Sequence, residues 1–207
     1  MLFDQIIESR RSIRTYKPEM PSWQLIEGML TSAAAAPSPS NSQPVRYIHL
    51  KSEAIRGRLE KEMAGGRDRF LKKLESIGGS KKVKNRINAY YRFSEFMFSA
   101  PYLFAVGVET VDSLSRKLVD AGVIPEDRKK NTDPDISTGL SLKAFILKGV
   151  ESGIGTCILT APIVYIDDTD SIINKGVRIN SFVTAGFSDE EPRIPVKKPV
   201  SDIYMEL

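Results

Sequence analysis

The sequence predicts one domain in which helices cover a few short, deeply buried strands. Three observations carry that expectation. The chain has 207 residues, enough for one substantial core and thin for two. Hydrophobic residues are 41% and charged residues 27%, the balance of an ordinary globular chain and unlike a disordered or collagen-like one. The apolar pattern alternates between helical spacing and short unbroken runs, and no internal repeat is visible. No apolar run approaches the ~20 residues that span a bilayer. The opening MLFDQIIESRRSIR sets acids and a double arginine where a signal peptide needs an apolar stretch. Cys157, the single cysteine, has no internal disulfide partner, which fits a reducing compartment. The expectation is a soluble cytoplasmic protein. A single histidine, His49, argues against a histidine-rich metal site and against a Ser-His-Asp triad.

The elements follow from the pattern in order. Residues 2–10 read as a short helix with Leu2, Phe3, Ile6 and Ile7 inward. Ser22 is placed to N-cap a second helix whose stripe is Leu25, Ile26, Met29, Leu30 and Ala33, and Pro37 and Pro39 stop it. A strand is expected at about 45–50. Another, YLFAVGVE at 102–109, is apolar without interruption and so is expected to be buried on both faces. Residues 110–134 are polar and read as a loop or excursion. From Asp135 to Ser152 the chain is apolar nearly all round, which predicts a helix in the middle of the molecule or of a dimer, ended by Gly153 in a left-handed cap. A strand at 156–160, a helix led by Asp167 and a strand at 179–187 complete the core. The closing PRIPVKKP stretch is expected to run extended along a surface.

Charge is unevenly spread. The chain carries a net +4, yet residues 65–92 hold nine basic residues and two acids, +7 in all, leaving −3 elsewhere. Gly78-Gly79 divides this stretch into two helical pieces, with Val83, Ile87, Tyr90, Tyr91 and Met97 expected to turn inward. A solvated helical face is the plain reading. A mobile basic flap that steers anions toward a small-molecule site is a sharper one. Nucleic acid, with Tyr90, Tyr91 and Phe93 stacking on bases, is the remote one.

Three stretches carry candidate chemistry. Arg10-Arg11-Ser12-Ile13-Arg14 sets three guanidinium groups and a hydroxyl within five residues, a dense anion site or a solvated basic turn. Ala36 to Pro44 (APSPSNSQP) alternates rigid prolines with Ser, Asn and Gln, and could hold a heteroaromatic edge or simply link a helix to a strand. Gly149 to Thr156 contains a G-x-G, but these glycines follow a helix, whereas the Rossmann fingerprint precedes one. Helix termination and close backbone approach are their expected work. Cys157 and His49 are both read as structural.

Taken in order, RRSIRTY (10–16), APSPSNSQP (36–44), GIGTC (153–157) and GFSDEEP (186–192) resemble the FMN-dependent nitroreductase family over essentially the whole chain. The resemblance implies an α+β sandwich, a central mixed, mainly antiparallel sheet flanked by helices. It also implies a homodimer with C-terminal arm exchange and FMN at the subunit interface. One domain would then cover 1–207, with a basic flap at about 65–92 and an arm at about 188–207. By matching position, Arg10, Ser12 and Arg14 would bind the FMN phosphate and ribityl chain, and Arg11 would contribute its backbone. Pro37, Ser38, Asn41 and Gln43 would line the flavin from the partner subunit, Leu159 and Thr160 would supply backbone near the reactive flavin face, and Lys197 would reach the phosphate. Three departures stand out: Val45 where many members have an aromatic residue, Pro195 where a further lysine is common, and Arg92 near a position others fill with an amide.

The implied activity is hydride uptake from NADH or NADPH and reduction of a small electron-poor acceptor such as a nitroaromatic or quinone, by a ping-pong mechanism with no side-chain acid or base. A flavin-binding, flavin-degrading or dehalogenating protein is the alternative from within the family. No metal and no membrane partner is expected.

Overall fold

The computed structural model describes residues 2–111, 114–125, 133–173 and 175–206. Its elements are α1 (Phe3–Ser9), α2 (Trp23–Ala34), β1 (Val45–His49), α3 (Glu53–Ser76), α4 (Lys81–Glu95), β2 (Tyr102–Glu109), α5 (Leu114–Asp120), α6 (Asp133–Glu151), β3 (Gly155–Leu159), α7 (Ala161–Tyr165), α8 (Thr169–Ile173) and β4 (Val177–Gly186). The strands form one sheet in the order β1-β2-β4-β3. Every strand pair is antiparallel, and a parallel contribution comes from an isolated bridge between Ser12 and Thr156.

Side-chain alternation along the strands sorts the core into two layers. On one face Tyr102, Phe104 and Val106 of β2 meet Ile26, Met29 and Ala33 of α2 and Leu142, Phe145 and Ile146 of α6. On the other, Leu103 and Ala105 meet Leu59 and Met63 of α3, Tyr91 of α4 and Tyr165 of α7. The uninterrupted apolar run of β2 is therefore burial on both faces, as its composition predicts. The register of β2 on β4 shifts between Val106 and Gly107, leaving Asn180 as the extra residue of a bulge. Gly107 permits it, since a Cβ there would lie 2.2 Å from the carbonyl oxygen of Arg178. Asn180 turns to α6, where its Nδ2 donates to Thr138 Oγ1 at 3.1 Å.

Several expectations change in detail. In α1 only Ile6 is buried; Leu2, Phe3 and Ile7 are exposed, because a two-turn helix lying on α6 presents one residue per turn to it. In α6, Leu142, Phe145 and Ile146 are buried while Ile136 and Leu140 remain exposed, so a single chain covers part of its apolar circumference. In α4 the inward face runs through Ile87, Tyr91 and Ser94, which leaves Val83 and Tyr90 exposed on its flank. Asp168, not Asp167, caps α8 by accepting from Ser171 N at 2.9 Å; Asp167 instead pairs with Arg69 at 2.6 Å. Helix α7 has no counterpart among the expected elements: Pro162 in its first turn signals it, but its five residues are too few for periodicity. Of the 110–134 excursion, α5 and the turn after it are described, and residues 112–113 and 126–132 lie outside the described residues. Gly153 adopts φ +73° and ends α6 in the expected left-handed cap.

Candidate functional site

The arginine-rich stretch is shaped by the edge of β3. Ile13 N donates to Thr156 O at 2.9 Å, and Ile13 fits because Gly155 has no side chain: a Cβ there would lie 2.8 Å from Ile13 Cγ1. The second glycine of the G-x-G thus lets residues 12–13 close onto the strand, which agrees with close backbone approach and not with a dinucleotide fingerprint. The same stretch is tied to GFSDEEP. Lys17 N donates to Phe187 O and Asp189 N to Thr15 O, both at 2.9 Å. Glu190 Oε1 accepts from the backbone N–H groups of Arg14 and Thr15. Tyr16 donates to Ile13 O and shares a hydrogen bond with Thr184 Oγ1, and burial pushes its phenol far above the ordinary range, so it stays neutral. Three of the four sequence motifs therefore converge on one edge of the sheet.

At the start of this stretch Arg10 and Arg11 line a cavity of about 490 Å³ with Lys197 of the C-terminal tail, Lys143 of α6, and Ile7 and Ile194 as apolar walls. Arg11 places its side chain here, held by hydrogen bonds from Nη1 to the carbonyl oxygens of Glu8 and Arg10, where the resemblance assigned it a backbone role. Ser12 and Arg14 lie farther along the strand, outside the cavity wall; Arg14 Nη1 donates to Ser12 O at 3.4 Å.

APSPSNSQP forms a separate region. Pro37, Ser38 and Gln43 line a cavity of about 260 Å³ with Tyr47, Ser137 and Ser141. Three non-glycine residues within four positions adopt left-handed backbone: Ser40 (φ 52°), Asn41 (φ 53°) and Gln43 (φ 44°). Each such residue costs about 1–3 kcal/mol. Hydrogen bonds hold the shape: Gln43 N donates to Ser38 Oγ at 2.9 Å, and Gln43 Nε2 to Asn41 Oδ1 at 3.1 Å. The stored strain makes this loop a candidate binding element.

Helix α6 separates these two regions. Ser141 faces α2, donating to Ala33 O at 3.1 Å, and accordingly lies by the loop. Lys143 is two residues on, about 200° round the helix, and opens onto the arginine cavity. The structure thus brings Arg10, Arg11 and Lys197 together and keeps Pro37, Ser38, Asn41 and Gln43 apart from them.

Leu159, buried, ends β3, and exposed Thr160 leads into α7. The α3–α4 hairpin rests on α7. Tyr165 donates its hydroxyl to Ile87 O at 2.7 Å, and at Gly66 a Cβ would lie 1.8 Å from Tyr165 O. Arg67 sits over the Tyr91 ring at 4.4 Å from its centroid.

His49 and Cys157 sit on β1 and β3, the two outer strands, so they do not meet. His49 lies against the rings of Tyr102 and Phe104 at 5.0 and 4.9 Å, and its pKa is lowered by burial and by Lys51 and Arg56. Burial raises the Cys157 thiol pKa. Among the described residues no group of His, Cys, Asp and Glu is arranged to hold a metal, and no helix is long and apolar enough to cross a membrane.

Sequence reasoning missed Lys143, because α6 and the arginine stretch are remote in the chain. It also gave no role to Glu190, although that residue lies inside a quoted motif.

A model of the Nitroreductase family matches residues 7–186. The chain is 26% identical over 204 residues to the "Putative NAD(P)H nitroreductase YfhC" of Bacillus subtilis strain 168, covering 98% of this chain and 92% of that one. Its fold is similar to a BluB-like flavoprotein from Clostridium difficile 630, with TM-score 0.86, 22% identity and 100% and 99% of the two chains covered. It is also similar to an iodotyrosine deiodinase bound to FMN and 3-iodo-L-tyrosine, with TM-score 0.69, 20% identity and 96% of each chain covered.

Proposed function

Because the chain belongs to the nitroreductase family, we propose that it is an FMN-dependent oxidoreductase that takes hydride from NAD(P)H and reduces a small electron-poor acceptor, a nitroaromatic or a quinone. The observation that carries this reading is the convergence of RRSIRTY, GIGTC and GFSDEEP on the β3 edge beside a cation-lined cavity. That cavity fits the phosphate end of FMN: Arg10, Arg11 and Lys197 line it, and the arginine forks match phosphate oxygens. The strained 36–44 loop suits the ring system, offering prolines as rigid walls and amides and hydroxyls as partners.

When bound, FMN supplies the hydride-accepting and hydride-donating chemistry, and the chain supplies position and electrostatics. In this reading Arg10, Ser12, Arg14 and Lys197 hold the phosphate and ribityl end. Leu159 and Thr160 present backbone to the ring. Pro37, Ser38, Asn41 and Gln43 act from a second copy, because α6 stands between them and the arginine cavity of their own chain. A homodimer also covers Ile136 and Leu140 of α6 and the tail residues Ile194, Val196, Ile203 and Met205, all exposed here. Within the 188–207 arm, the part beyond Lys197 is the part free to exchange, because Asp189, Glu190 and Lys197 lie against the arginine stretch of their own chain. The basic hairpin at 65–92 borders α7 and steers anionic NAD(P)H toward the site.

The deciding measurement is the visible spectrum of purified protein with anaerobic NADH and NADPH titration. Flavin bands that bleach with NAD(P)H and return with a nitroaromatic or quinone are expected, with parallel double-reciprocal plots and an association rate that falls with salt. Colourless protein that cannot be reconstituted with FMN would overturn the reading. Flavin bands indifferent to NAD(P)H would favour the second reading, a dehalogenating or flavin-degrading protein, which the likeness to the FMN-bound deiodinase supports.

The stretch Leu159-Thr160-Ala161 offers backbone amides and carries no ionisable side chain of its own. Thr160→Ala and His49→Gln are therefore expected to change the rate of NAD(P)H oxidation in anaerobic stopped flow by less than about tenfold. A loss of about 10²–10⁴-fold in either variant, the scale of a missing acid or base, would show that the reaction uses one.

A further inference from the structure

Building on the FMN reading, we propose that Lys143 of α6 is a phosphate-binding residue. With Arg10, Arg11 and Lys197 it makes a four-cation seat for the dianionic end of the flavin nucleotide.

The four cations reach one cavity from three separate parts of the chain: the turn after α1, the middle of α6 and the extended tail. Among the described residues none of them is ion-paired with a carboxylate. Glu8 is the one acid in the wall, and its contact with Arg11 is through its backbone carbonyl. Cations gathered without counter-charge repel one another, so the arrangement favours an anion of more than one charge. A phosphate monoester carries about −1.5 to −2 at neutral pH.

Lys143 has a particular place in this seat. Its neighbours Leu142, Phe145 and Ile146 are buried in the core, so the helix that bears it is fixed. Lys197, by contrast, arrives on an exposed extended segment. Ile7 and Ile194 flank the cavity as its apolar walls. In the tail, Pro195 brings no charge to the wall, so Lys197 and Lys143 are the two ammonium groups that line it. The arginines give planar forks, and Lys143 gives a point charge from a different element of the wall.

The test is titration of flavin-free, full-length wild type, Lys143→Met and Lys143→Arg with FMN and, in parallel, with riboflavin, read by quenching of flavin fluorescence. Methionine keeps the packing stem and removes the charge. Lys143→Met is expected to weaken FMN binding by about tenfold, the scale of one charge-assisted contact. Riboflavin binding and thermal unfolding should stay as in wild type, and Lys143→Arg should restore most of the loss. FMN affinity within twofold of wild type would overturn the proposal while leaving the FMN reading intact. An equal loss for riboflavin would overturn it by making the role structural. A changed preference for NADPH over NADH at unaltered FMN affinity would overturn it by assigning the cation to the pyridine nucleotide's phosphate. Wild type that binds no FMN would overturn both.

Discussion

Arg10→Ala is expected to lower FMN affinity by about 10- to 100-fold, which corresponds to about 1.5–3 kcal/mol for a lost charge-assisted contact. Arg10 stands at the mouth of the stretch sewn to β3, in the wall of the cation-lined cavity, and its guanidinium has no carboxylate partner among the described residues. Removing it leaves the phosphate with fewer donors and no compensating salt bridge is broken. Arg10→Lys should recover part of the loss, because a point charge lacks the fork. Arg14→Ala should act in the same direction and more weakly, since Arg14 is exposed and lies outside the cavity wall. Fluorescence titration with FMN checks both. Wild-type affinity in Arg10→Ala would place the phosphate elsewhere and undo the assignment of the whole arginine stretch.

Two glycines of α3 should respond to the same substitution with opposite sign. At Gly66 a Cβ would lie 1.8 Å from the carbonyl oxygen of Tyr165, 2.7 Å from its carbonyl carbon and 3.0 Å from its Cα, all backbone that cannot rotate away. Gly66→Ala must push α3 off α7, at a cost of about 1–3 kcal/mol or more for overpacking. Gly57 has nothing within 4 Å of its virtual Cβ, so Gly57→Ala should stabilise the helix by about 0.5–1 kcal/mol. Denaturant unfolding of the two variants beside wild type measures the contrast. Equal stability for Gly66→Ala would mean that α3 and α7 can separate freely. Because α7 follows Thr160, Gly66→Ala should also lower NAD(P)H turnover even where FMN remains bound.

The strands were legible because burial on two faces leaves a mark in composition. YLFAVGVE could be placed within a residue, and so could the glycine that ends α6. The arginine stretch and the 36–44 loop were legible as resemblance, since their residue types are unusual in combination. Other features leave no local trace. The choice of Asp168 over Asp167 as cap depends on where Arg69 falls after α3 has packed. The exposed positions of α4 depend on which flank Tyr165 takes up. The left-handed backbone of Ser40 and Gln43 runs against the intrinsic preference of those residues, so propensity points away from it, and Asn41 between them is the one that tolerates it. Lys143 joins Arg10 only in three dimensions, across more than half the chain.

The tie between the arginine stretch and GFSDEEP orders events in time. Residues 12–17 make their backbone pairings with Thr156, Phe187 and Asp189, and Glu190 holds the amides of Arg14 and Thr15. A ribosome delivers Arg14 176 residues, and Thr15 175 residues, before the Glu190 that holds their amides. Until their partners emerge, the backbone groups of residues 13–17 have no strand to pair with. Contacts this distant in sequence form late and slowly. The nascent chain can build α2 and the β1–β2 pair while still tethered, but the arginine stretch is fixed only once Glu190 has emerged, and its anion seat only once Lys197 has. In the FMN reading, flavin capture then follows the synthesis of this closing segment and does not precede it.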